Sequence, residues 1–140
     1  MIRPVLLIAV LLLSLVSRTR AEADAEPDFI RHFFAPELVL QHAKAIELDR
    51  TQRTEIMKDI ARVTGSTTEQ QLSMLEHFGA VEELSAAERV DEKALLAEIH
   101  DVLTAELQVK EAHMGLLIRI RNLLTPEQRE ELRKIRDGNG

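Results

Sequence analysis

Between Ile46 and Leu124 the chain contains no proline and only three glycines, Gly65, Gly79 and Gly115. A stretch of that length without helix breakers has little alternative to long helices. Apolar residues recur at helical spacing along it. Ile56, Ile60 and Val63 open a stripe that Leu72, Leu75, Phe78 and Val81 continue, so residues 49–84 read as one helix. Ser66 with Glu69, just after Gly65, offers a second helix start and hence the alternative of two shorter helices. Beyond a turn at residues 85–90, Asp91 is positioned to cap a second arm. Leu95, Leu96, Ile99, Val102, Leu103, Leu107, Met114, Leu117, Ile120 and Leu124 give that arm a wide apolar face. At ~1.5 Å per residue, an arm of some 33 residues reaches about 50 Å. Two such arms joined by a short connection lie antiparallel. The expected fold is therefore all-α: a long antiparallel helical hairpin with its tip near residues 85–90. A short helix over residues 36–46 precedes it, and another over 126–136, stopped by Asp137-Gly138, follows it. The lead-in is residues 24–35, the hairpin domain 36–136 and the tail 137–140.

Both arm-to-helix junctions at the open end carry one pattern. In Leu48-Asp49-Arg50-Thr51-Gln52 and Leu124-Thr125-Pro126-Glu127-Gln128, a leucine precedes a capping residue and a glutamine follows three residues later. Each is a capping box: the cap side chain accepts from the glutamine's backbone N–H while the glutamine side chain reaches back to the cap. Pro126 occupies the first helical position, where a missing N–H costs nothing. Hairpin geometry brings the two boxes to the same end of the molecule.

The first residues read as an export signal. Arg3 precedes an almost unbroken apolar run from Val5 to Val16, followed by small residues at Ala21, Ala23 and Ala25. The run is shorter than the roughly 20 residues that span a bilayer, so residues 1–23 are expected to be a signal peptide cleaved after Ala21 or Ala23. Arg18 and Arg20 leave an uncleaved anchor as the alternative. Without cysteine, stability rests on packing, and thiol chemistry is excluded. Removing residues 1–23 takes away Arg3, Arg18, Arg20 and Glu22, so 18 basic and 24 acidic residues become 15 and 23, a net charge of −8. That balance argues against a nucleic-acid partner. Catalysis has no motif to rest on, since the carboxylates are dispersed along helices and neither a phosphate loop nor a nucleophile elbow occurs. Among about 117 mature residues with no tryptophan or tyrosine, the core is thin, and a second copy would help to cover it.

The paired boxes, the lead-in Phe33-Phe34-Ala35-Pro36-Glu37-Leu38-Val39, the Arg89-Val90-Asp91 before the second arm and the segment from Arg121 to Gln128 together resemble the LTxxQ family of periplasmic proteins, which includes Spy, CpxP, ZraP and CnrX. The resemblance covers essentially the whole mature chain. It implies a four-helix hooked hairpin that pairs into a cradle-like homodimer in the periplasm. It further implies an ATP-independent chaperone of envelope stress, acting on partly unfolded envelope proteins. The alternatives it carries are a heavy-metal sensor or resistance accessory and a regulatory ligand of a membrane sensor kinase. Two departures stand out. Asp49 replaces the usual threonine, which capping chemistry tolerates, and the mature chain is acidic where Spy-like and CpxP-like cradles are basic. Positive charge gathers locally at Arg119, Arg121, Arg129, Arg133, Lys134 and Arg136. That run reads first as a solvated face with cations favoured at helix C-termini, and otherwise as a client or partner surface.

Three of the four phenylalanines, Phe29, Phe33 and Phe34, lie in the lead-in. They read as packing on a partner subunit, with an exposed client-binding patch as the alternative. The five histidines contain no pair at i, i+4, so the His-x-x-x-His spacing of CnrX-like sensors is absent. Folding the arms about residue 88 nonetheless sets His77 opposite His100, with Met74 and Asp101 adjacent. This makes a candidate for weak binding of a divalent transition metal. No cofactor is otherwise expected.

Overall fold

The computed structural model describes residues 28–138; the proposed signal segment 1–23, residues 24–27 of the lead-in and the last two residues lie outside them. The chain divides into two units, residues 1–32 and 33–140. Of the first, the described part is a single 3₁₀ turn, Asp28–His32, with no buried residue.

The second unit is all-helical. It comprises α1 (Pro36–Gln41), α2 (Arg50–Ser85), α3 (Glu92–Leu123) and α4 (Pro126–Gly138). α2 is one uninterrupted helix of 36 residues and α3 one of 32, about 54 and 48 Å long at ~1.5 Å per residue. They pack as the expected antiparallel hairpin, the only large helix pairing among the described residues. Ser66 starts no new helix. Gly65 lies mid-helix with open space where a Cβ would stand, and no glycine among the described residues takes a positive φ, so nothing at this position breaks the helix.

The helix expected over residues 36–46 is shorter, and its end explains why. After Gln41 the backbone continues as hydrogen-bonded turns to Ile46. There Leu48 N–H donates to the Ala43 carbonyl (2.8 Å) and Glu47 N–H to the Lys44 carbonyl (3.2 Å), the paired bonds of a Schellman stop. Glu47 supplies the left-handed residue, φ 51°, a conformation that costs a non-glycine residue of order 1 kcal/mol. The stop turns the chain sharply into Asp49 and α2.

The core sits at the open end of the hairpin. Phe34, Val39, Ile46, Ile56, Val63, Leu116, Ile120, Leu124 and Leu132 form one buried cluster, with Leu48, Ile60 and Ile135 packed against it. Both short helices thus fold over the hairpin base, α1 through Val39 and α4 through Leu132. Toward the tip, burial thins. Beyond Thr67, α2 has no fully buried residue, and in the tip half of α3 only Val102 and Ala105 are buried.

Each arm also carries a second apolar stripe that its partner arm does not cover. Leu96, Leu103, Leu107 and Ile118 are exposed on α3, and Met57, Leu72, Leu75 and Phe78 on α2. At 3.6 residues per turn, the α3 set falls within about 60° of helix circumference, turned away from the buried seam, and the α2 set within about 120°, along one side of it.

Candidate functional site

At the hairpin base the two capping boxes interlock. Asp49 Oδ1 accepts from Gln52 N–H (2.8 Å), and Asp49 N–H donates to Gln52 Oε1 (3.1 Å). The second box repeats this: Thr125 Oγ1 accepts from Gln128 N–H (3.2 Å) and Thr125 N–H donates to Gln128 Oε1 (2.9 Å). The glutamines then face one another across the interface. Gln52 Nε2 donates to Gln128 Oε1 (2.8 Å) and Gln128 Nε2 donates to Gln52 Oε1 (2.9 Å).

Each remaining amide hydrogen reaches a backbone carbonyl two residues before the other box's cap. Gln52 Nε2 donates to Leu123 O (2.8 Å), and Gln128 Nε2 points at Glu47 O (3.5 Å). The arrangement is a local pseudo-twofold in which both buried amides satisfy every donor and acceptor. The cyclic pairing also fixes which end of each amide is oxygen. Leu124 is buried beside it and Leu48 packs on the same cluster. The motif residues are therefore the clasp that closes the hairpin base. The cleft alongside is lined by Glu47, Asp49, Glu127 and Glu131, which makes it acidic. Glu127 is held below the usual carboxylate range by its own backbone N–H and then by the Thr125 hydroxyl.

The lead-in aromatics separate. Phe29 is exposed, Phe33 is half-buried, and Phe34, at 1% exposure, belongs to the core of its own chain. There the Arg136 guanidinium lies 5.6 Å from its ring centroid, and Arg136 Nη1 donates to the Phe33 carbonyl (3.4 Å). Phe34 is thus neither a client surface nor a contact for a second subunit.

The basic run is likewise largely engaged within the chain. Arg119 Nε lies 3.3 Å from Asp59 Oδ1, too oblique for a hydrogen bond, and Asp59 also pairs with Arg62. Arg133 pairs with Glu130 and Lys134 with Glu131, while Arg121 and Arg129 are half-buried. These partners make the run a mixed-charge face, not a bare positive patch.

Near the tip the cross-arm contact differs from the expected one. His77 Nδ1–H donates to Glu98 Oε2 (2.7 Å), and Asp101 Oδ2 lies 3.9 Å from the same nitrogen. His100 is exposed, its Nε2 3.5 Å from the Thr104 hydroxyl. Two residues along a helix is about 200° of rotation, so with Glu98 facing α2, His100 points away. Met74 is half-buried one turn before His77. Glu98, which no motif in the sequence singles out, takes the place expected of His100.

The Glu98 hydrogen bond, chiefly, raises His77 above 6.5, with Glu98, Asp101 and Glu76 charges adding and desolvation opposing. A raised pKa means that the pair's contribution is complete below the ordinary imidazole value and is lost as pH rises through the raised one. In an NMR titration of metal-free protein, His77 is expected to titrate above 6.5, and Glu98→Gln to bring it back down. A titration at or below that value in the parent would contradict the pair.

Among the described residues, no helix is long and apolar enough to cross a membrane. No protein-family model matches the chain, and no curated protein and no solved structure matches it significantly.

Proposed function

We propose that the protein is an ATP-independent periplasmic chaperone of the Spy/CpxP type, exported by its first 23 residues and working as a homodimer in the LTxxQ family it resembles. The observation that carries this reading is the second apolar stripe on each arm. Leu75 is 67% exposed, and Leu72, Leu96, Leu103 and Leu107 are each more than half exposed. They lie on helices that the base clasp and core already hold in place. Such a surface offers partly unfolded chains apolar contact without rearranging the hairpin's own core. The many charges on the same arms keep these contacts modest and reversible, as release without nucleotide requires. With a mature net charge of −8, net-positive clients are the ones favoured in encounter.

Two measurements check the reading. Light scattering at tens of micromolar is expected to give a dimer mass, because the chain's own core is thin and confined to the hairpin base. The purified protein is expected to suppress aggregation of an unfolding basic client, without nucleotide and near one dimer per client. No effect on several clients of differing charge would shift the reading to a regulatory ligand of a membrane sensor kinase.

A further inference from the structure

We propose that His77, Glu98 and Asp101 form a site for a borderline divalent transition metal, zinc being the reference ion, that clips the two arms together near the hairpin tip. One ligand atom from each residue lies within 4.8 Å of the other two. The set is built from both arms: the imidazole comes from α2, and the two carboxylates come from α3, three residues apart and therefore on one helix face. Atoms bound to one zinc ion at ~2.0–2.2 Å sit about 3–3.5 Å from each other. His77 and Glu98 are already closer than that at 2.7 Å, and Asp101 is 3.9 Å from His77. The remaining closure falls to Asp101, whose side chain is 51% exposed and free to change rotamer.

The donor set selects the ion. An imidazole nitrogen with two carboxylates suits zinc, cobalt, nickel or manganese. Calcium and magnesium favour oxygen alone, and the absence of thiolate disfavours copper(I). Three protein ligands leave further positions to water, so the site is open. Its place in the fold gives it a consequence. The tip half has little buried apolar area holding the arms together, so an ion bound across them stabilises the pairing where packing is weakest. The base clasp would not feel it.

Calorimetric titration of zinc chloride into the purified protein, in a slightly alkaline non-chelating buffer, tests this. The expected result is one saturable site per chain, with affinity lowered at least about tenfold by His77→Ala and by Glu98→Gln and unchanged by His100→Ala. Hydrogen exchange gives an independent readout: zinc is expected to slow exchange of the amides around residues 74–80 and 95–105 in the parent and not in His77→Ala. No saturable binding up to millimolar zinc would overturn the proposal. So would undiminished binding in the His77→Ala, Glu98→Gln double variant, or loss of binding in His100→Ala.

Discussion

Leu124→Ala is expected to lower the unfolding free energy by about 2–5 kcal/mol. Leu124 is 4% exposed and packs with Ile56, Ile120 and Leu132, at the point where α2, α3 and α4 meet. Truncating it leaves a cavity that the surrounding helices cannot close freely, because the glutamine clasp fixes their separation. Thr125→Ala, one residue on, is expected to cost only ~1 kcal/mol, the usual loss for an N-cap. Urea unfolding of the two variants gives the comparison. A Leu124→Ala protein of unchanged stability that had lost its activity would make the motif a binding surface and not a clasp.

Gln128→Glu is expected to destabilise by about 3 kcal/mol at neutral pH although it changes a single heavy atom. The new carboxylate oxygen replaces the Nε2 that faces Gln52 Oε1 at 2.9 Å and Glu47 O at 3.5 Å, so acceptor meets acceptor in a buried site. Gln52 cannot relieve this by turning its amide over. Doing so would set its oxygen against the Leu123 carbonyl and its NH₂ against the Asp49 N–H, which it now satisfies. The loss is pH-dependent in a predictable direction. Burial among acceptors raises the introduced Glu above its unfolded value of ~4.3. Stability therefore returns as pH falls through that raised value, because the protonated carboxyl regains a donor. Denaturation midpoints of parent and variant should converge toward acid. A constant gap between pH 7 and 4 would contradict the reciprocal pairing.

The helices and the clasp residues are legible in the sequence because their signals are local. Sparse glycine and proline, the 3.6-residue stripes and the two capping boxes need only neighbouring residues, and the hairpin then brings the boxes together. The glutamine pairing is invisible in either box alone, yet a signal for it exists. Gln52 and Gln128 each stand four residues before a fully buried apolar residue, Ile56 and Leu132, so both lie on the buried stripe, where a polar side chain must find a partner.

What depends on rotation between the arms is less accessible. Counting residues about the tip places His77 level with residue 98 correctly, but the facing side chain is set by helix phase, and His100 is on the far side. The end of α1 is hidden for a different reason. A left-handed glutamate at position 47 is a rare choice for a helix stop, and only the geometry of the turn requires it. Phe34 resists reading too, because its burial comes from contacts far along the chain, near Arg136.

In the proposed chaperone, the uncovered stripes on the arms are the working surface and the base is structural. Client aggregation followed by light scattering, with the parent and with a Leu75→Gln, Leu103→Gln variant, separates the two roles. Both leucines are more than half exposed, and glutamine keeps charge and helix propensity, so helicity and unfolding midpoint should hold while suppression of aggregation is lost. A variant that protects the client as well as the parent does would contradict the account.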